Sequence, residues 1–133
     1  YITFLGCRVS FQGVVSLEKD KFRELSRDVR KRVRRTWNLL RGQPIEKAEA
    51  LLCRAINEMF DQQSENTHPF SAVLRRCLNS RSQLKEIDYF VAKTIAETVT
   101  GVVGPKAFRL LPYRRLRDEL GLISLCAERN QRR

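Results

Sequence analysis

Three times between Phe22 and Val99, apolar residues return at intervals of three and four, and this spacing constrains the fold more than any other feature of the chain. Phe22, Leu25, Val29, Val33, Thr36/Trp37 and Leu40 fall at offsets 0, 3, 7, 11, 14/15 and 18. On an α-helix these offsets form a single stripe, which must be buried against another element. The stripe predicts a helix of about six turns over residues 17–41. Ser16 is expected to cap its start, and Glu18 and Asp20 suit its positive end. Gly42 suits the position just past its last turn, and Pro44 suits the first turn of the next helix. That second helix is expected over 44–60, with Ile45, Ala48, Leu52, Ala55/Ile56 and Met59 in its seam. Ser80 and Gln83 form a capping-box pattern for a third. Its seam is Leu84, Ile87, Val91, Ile95 and Thr98/Val99, and Gly101 ends it.

The remaining segments are shorter. Residues 61–68 read as a polar loop, after which Pro69 opens a short helix containing Phe70, Val73, Leu74, Cys77 and Leu78. Gly104-Pro105, Pro112 and Gly121 punctuate three helical pieces near 105–111, 113–120 and 124–131. Residues 1–16 form the only β-like stretch, with a hairpin turn at Phe11-Gln12-Gly13. A hairpin alone is marginal, so it needs a surface to lie on. The expected fold is mainly α: a three-helix-type bundle with an N-terminal β-hairpin and short C-terminal helices. Its two parts are the hairpin over 1–16 and the helical domain over 17–133. The first residue, Tyr1, already sits in a strand-like segment, and the only methionine is Met59. A piece of a longer polypeptide is therefore expected.

Composition narrows the function classes. No apolar run reaches the roughly 18 to 20 residues of a membrane span. The opening residues also lack the charged start of a signal peptide. The cysteines, Cys7, Cys53, Cys77 and Cys126, include no CxxC pair, and His68 is not at ligand spacing from any of them. Free, buried thiols in a reducing cytoplasm are the expectation, with neither metal site nor disulfide.

Net charge is +11, from 26 Lys+Arg against 15 Asp+Glu. Residues 17–42 hold ten basic and four acidic residues, and residues 101–133 hold eight and three. Residues 43–100 are nearly balanced, with seven and eight. The excess thus lies on the first helix and the C-terminal third. At 100° per residue, Arg23, Arg27, Arg30, Arg34 and Arg41 fall within roughly 60° of one another. Lys31, Arg32 and Arg35 widen this surface, and Arg8 adds one cation on the hairpin. Successive arginines on such a face stand about 5 to 6 Å apart, comparable to phosphate spacing along one strand. A polyanionic partner, most simply nucleic acid, is indicated. A second cluster, Tyr113-Arg114-Arg115-Leu116-Arg117, can stack on a base or touch a backbone, or form a short helix with Tyr113, Leu116 and Leu120 inward.

Chemistry is not indicated in this chain. Glu86 and Asp88 point to different sides of a helix, and an Arg partner is the expected role of Asp88. His68 has no obvious partner for nucleophilic catalysis. Gly101-Val102-Val103-Gly104-Pro105-Lys106 has GxxG spacing, which can clamp a nucleic-acid backbone, but helix termination also explains it.

Phe4-Leu5-Gly6 opening a hairpin, followed at once by a basic three-helix region, resembles the end of a bacterial retroelement reverse transcriptase of the group II intron, retron or diversity-generating types. In that family an FLG hairpin forms the primer grip after the palm, and a helical thumb comes next. The segment Leu116-Arg117-Asp118-Glu119-Leu120-Gly121-Leu122-Ile123-Ser124-Leu125 also resembles a late part of such enzymes. Cys7 stands where the family usually carries an aromatic.

The resemblance implies a non-catalytic thumb of an RNA-directed DNA polymerase. It would grip the duplex of RNA template and DNA primer, with the rest of the polymerase chain as its other partner and no membrane. Phe4, Leu5 and Gly6 would be primer-grip-like. Arg8, Arg23, Arg27, Arg30, Lys31, Arg34, Arg41, Arg114, Arg115 and Arg117 would touch nucleic acid. No cofactor is expected in this piece, and Mg would belong to a palm outside it. The alternatives are a free-standing helical RNA- or DNA-binding module, or a bundle whose basic face meets an acidic protein.

Overall fold

The computed structural model describes residues 2–4 and 6–131, with side chains over 6–128. The chain runs β1 (Ile2–Phe4), β2 (Cys7–Val9), β3 (Val15–Leu17), α1 (Lys19–Leu39), α2 (Ile45–Met59), α3 (Ser71–Arg76), α4 (Arg81–Thr100), α5 (Ala107–Leu110), α6 (Tyr113–Asp118) and α7 (Leu125–Gln131). The fold is mainly α, as the periodicity predicts. α1 packs against both α2 and α4, and the short helices α5, α6 and α7 cover the other flank of α4. Leu25, Val29 and Val33 of α1, Leu52 and Ile56 of α2, and Leu84, Ile87, Val91 and Ile95 of α4 form one buried core. Ile45 departs from its expected seam position: it is 59% exposed, because α2 begins there, beyond the last turn of α1. Cys7, Cys53 and Cys126 are free and buried, whereas Cys77 is free but exposed at the end of α3, against expectation.

The β-region is a three-stranded antiparallel meander rather than one hairpin. Cys7 pairs with Phe4 on one side and with Leu17 on the other. The turn at Phe11-Gln12-Gly13 stands where it was expected: Gly13 N–H donates to Ser10 O at 2.9 Å, and Gly13 has φ +80°. The outer edge of β3 is covered by the start of α4. The amides of Asn79 and Ser80 donate to Val15 O, and the Asn79 side chain accepts from Val15 N–H at 2.7 Å. Gln83 accepts from Leu17 N–H at 2.7 Å and donates to Leu17 O at 3.1 Å. Side chains thus stand in for a fourth strand and close an edge that would otherwise expose unpaired backbone.

Two caps differ from expectation. Ser16 does not cap α1, because β3 extends through Leu17; Glu18 holds the N-cap position, and its N–H donates to Gly6 O at 2.9 Å. Ser80 does cap α4, accepting from Gln83 N–H, but the Gln83 side chain serves β3 instead of completing a capping box.

Asp88 is buried and, among the described residues, has no arginine partner. It accepts from Ser124 Oγ at 2.7 Å, Leu125 N–H at 2.9 Å and Cys126 N–H at 3.1 Å. Ser124 in turn accepts from Ala127 N–H at 3.1 Å, so it caps α7 while its own hydroxyl is held by α4. A carboxylate at this positive helix end is favourably placed. Asn57 of α2 fixes the approach to α7, donating to Gly121 O at 2.8 Å and accepting from Ile123 N–H at 3.0 Å.

Candidate nucleic-acid interface

The exposed face of α1 follows from its register. Val29 and Val33 are fully buried, so residues 80° to 140° around the helix from Phe22 face outward toward the α4 side. Arg23, Arg27, Arg30 and Arg34 occupy that arc and are exposed; Lys31 and Arg35 are also exposed, at about 180° and 220°, toward the back of the helix. The helix is 21 residues long, and the arc from Arg23 to Arg34 covers about 17 Å of its axis. Arg41 does not continue it: α1 ends at Leu39, and Arg41 lies in the following turn, donating to the Asn38 side chain at 3.5 Å. Arg32 points to the opposite flank, where it donates to Asn66 O at 3.4 Å.

Few acids neutralise this surface. Arg23 meets Asp20 at 3.9 Å in an exposed pair that water screens, and Arg27 meets the half-buried Asp28 at 3.8 Å. Among the described residues, no carboxylate lies within salt-bridge distance of Arg30, Lys31, Arg34 or Arg35. The guanidinium of Arg30 sits 5.1 Å from the centre of the Phe90 ring on α4. A ring face orients the cation without cancelling its charge. Phe90 lies off the helix seam, and no spacing rule singles it out.

The sheet extends the surface. Arg8 is paired with Ser16 across the strands and lines a groove of about 360 Å³ with Lys19, Phe22, Arg23, Gln83 and Glu86. Strand alternation sends Arg8 to one face and Cys7 to the other, where Cys7 is buried beside Leu17. The side chain at position 7 therefore joins the core, and burial, with Cys77 and Glu18 nearby, pushes its thiol above the ordinary range. Gly6 adopts φ +80°, and a Cβ there would meet Lys21 Cγ at 3.0 Å, so glycine suits the position. The backbone of Phe4 belongs to β1, but its side chain, and all of Leu5, lie outside the described residues.

The second basic cluster divides. Arg114 is exposed, with Asp118 at 3.7 Å. Arg115 turns inward to the buried Glu49 at 3.3 Å and also meets Glu119, so it joins α6 to α2 rather than facing outward with Arg114. Arg117 lies 5.8 Å from the Tyr113 ring, and its Nε is buried with no hydrogen-bond partner among the described residues. Burial raises the Tyr113 phenol above its ordinary value, as does nearby Asp88, against the opposing influence of Arg117.

Two sequence candidates have other roles. His68 is buried; its Nδ1 accepts from Phe70 N–H at 3.0 Å and its Nε2 lies 2.7 Å from Asp28. An accepting Nδ1 places the proton on Nε2, so both nitrogens are engaged and the ring ties the 61–70 loop to α1. In the GxxG segment, Gly104 N–H donates to the Glu97 carboxylate at 2.7 Å and Val102 N–H to Thr100 Oγ1 at 3.2 Å. An internal carboxylate already occupies the place a phosphate would take.

Among the described residues no group of three His, Cys, Asp or Glu side chains is arranged to hold a metal, and no helix is long and apolar enough to cross a membrane. The chain matches no family model, no curated protein and no solved structure.

Proposed function

We propose that this chain grips a nucleic-acid duplex through its phosphate backbone, as the thumb of a reverse transcriptase holds RNA template and DNA primer. The carrying observation is the row of exposed α1 arginines, of which Arg30 and Arg34 have no carboxylate partner among the described residues, that adjoins the Arg8 groove of the sheet. Backbone contacts of this kind hold a duplex without reading its sequence, which is what a polymerase requires. An RNA–DNA hybrid presents a wide, shallow minor groove that a helix can follow. On this reading the polymerase chemistry and its Mg²⁺ reside in a separate palm, the sheet meets the primer end, and the protein works in the cytoplasm.

The test is hybrid-duplex binding over a range of salt. Arg27→Ala with Arg30→Ala should weaken binding and flatten the salt slope by about 1.8, roughly 0.9 for each phosphate no longer neutralised. Unchanged affinity and slope would remove α1 from the interface. A Tyr-x-Asp-Asp segment encoded within about a hundred residues upstream would distinguish a polymerase thumb from a free-standing binding module.

A further inference from the structure

A cavity of about 680 Å³ opens on the far flank of α4 from Arg30, between α4 and the helices α5, α6 and α7. Phe90 faces α1, while Tyr89, one residue earlier and 100° around the helix, faces this cavity. The volume is that of a small-molecule site. One wall is aromatic: the Tyr89 and Phe108 rings are 5.8 Å apart, and Phe108 and Tyr113 are 6.4 Å apart, edge to face. Three cations, Arg81, Lys85 and Arg117, line the same space. Arg81 and Lys85 are exposed and have no carboxylate partner among the described residues. Arg117 brings the buried Nε, which has no hydrogen-bond partner among the described residues. The one acid in the lining, Asp88, already accepts three hydrogen bonds from the α7 segment, so its charge is engaged.

Flat apolar faces beside unneutralised cations suit a ligand that is both planar and anionic. We propose that this cavity binds a nucleoside monophosphate unit, with the base against Tyr89, Phe108 and Tyr113 and the phosphate toward Arg81 and Lys85. Base–aromatic stacking tolerates any base, and the cations hold the phosphate. The choice of a nucleotide over another flat anion rests on the nucleic-acid reading of the α1 face. The cavity itself is independent of that face. The unit can arrive free or as an unstacked residue of a single strand.

The experiment titrates the full chain with AMP and with an eight-residue oligodeoxyadenylate, following line broadening of the adenine protons by NMR. Tyr89 is 47% exposed, so Tyr89→Ala leaves the core closed, and Lys85→Gln changes only a surface charge. Each substitution should weaken AMP by about fivefold or more, the lower end for removing one base–aromatic stack. Arg27→Ala with Arg30→Ala should leave AMP binding unchanged. An oligomer at least tenfold tighter than AMP, with the same sensitivity to Tyr89→Ala, identifies a strand as the source; equal affinities identify a free nucleotide. No broadening, or broadening unaffected by both cavity variants, overturns the proposal. If the cavity fails while duplex binding still depends on Arg27 and Arg30, only this inference falls. If AMP binds as described while duplex binding ignores those arginines, only the α1 reading falls.

Discussion

Removing the Asp88 carboxylate should loosen the C-terminal third of the molecule. Asp88 accepts from Ser124 Oγ at 2.7 Å, Leu125 N–H at 2.9 Å and Cys126 N–H at 3.1 Å, and all four residues are buried. Asp88→Ala strands three donors, two of them backbone amides with no intrahelical partner of their own. A buried donor left unmade costs about 1–3 kcal/mol. The adjoining cavity lets water reach some of them, and the cost of keeping a buried carboxylate disappears, so the net loss should be about 3 kcal/mol. That is a large share of the roughly 5–15 kcal/mol that holds a domain folded. Asp88→Asn keeps the shape and one acceptor but turns an NH₂ toward the remaining donors, and should cost about 2 kcal/mol. Urea unfolding at constant m-value measures both, and amide exchange at Leu125 and Cys126 localises the effect. A loss under about 0.5 kcal/mol for Asp88→Ala, with exchange unchanged at those amides, would refute the claim that Asp88 anchors α7.

Two further outcomes follow from single side chains. Gln83→Leu strips Leu17 of both side-chain hydrogen bonds on the outer edge of β3. It should cost about 1–3 kcal/mol and speed exchange at the Leu17 amide while the α4 interior stays protected. An unaltered Leu17 amide would show that the edge is held some other way. Burial, aided by Glu49, pushes the Cys53 thiol up to about 12 from an ordinary 9.0. Above pH 9.0 the unfolded thiol ionises while the folded one keeps its proton, so the unfolded state binds fewer protons and stability falls as pH rises toward about 12. The slope is about 1.4 kcal/mol per pH unit, and Cys53→Ala should remove it. Stability curves of the two proteins that stay parallel from about pH 8 to 11 would contradict this.

The helical frame was legible because each seam is a local pattern. Val29, Val33, Leu52, Ile56, Leu84, Ile87 and Ile95 are buried where their spacing puts them. The basic arc was legible for the same reason, since four of its arginines share one helix whose buried side its own apolar stripe marks. Contacts between distant polar residues leave no period. Gln83 on Leu17, His68 on Asp28 and Asp88 on Ser124 each join different elements, and single polar residues at those positions carry no mark of it. Element ends shifted where a neighbour competed: β3 took Ser16 from the α1 cap, and the turn after Leu39 took Arg41 from the arc. Arg115 looks equivalent to Arg114 in sequence, and only the packing of α6 on α2 turns it toward Glu49. The cavity beside Tyr89 depends on four helices meeting, so no single segment announces it.

On the proposed reading, position on α1 rather than net charge makes the interface. Two variants of equal charge separate position from charge. In one, Arg23, Arg27, Arg30 and Arg34 become Gln; in the other, the exposed Lys47, Arg54, Arg76 and Lys106 become Gln. Each variant gives up four positive charges. Binding of an RNA–DNA hybrid duplex is then followed against salt. In the α1 variant the slope of log affinity against log salt should fall by about 3.6, at roughly 0.9 per phosphate, while the second variant keeps nearly the full slope. Equal reductions in the two variants would mean that the duplex responds to overall charge alone, and would overturn the assignment of the interface to α1.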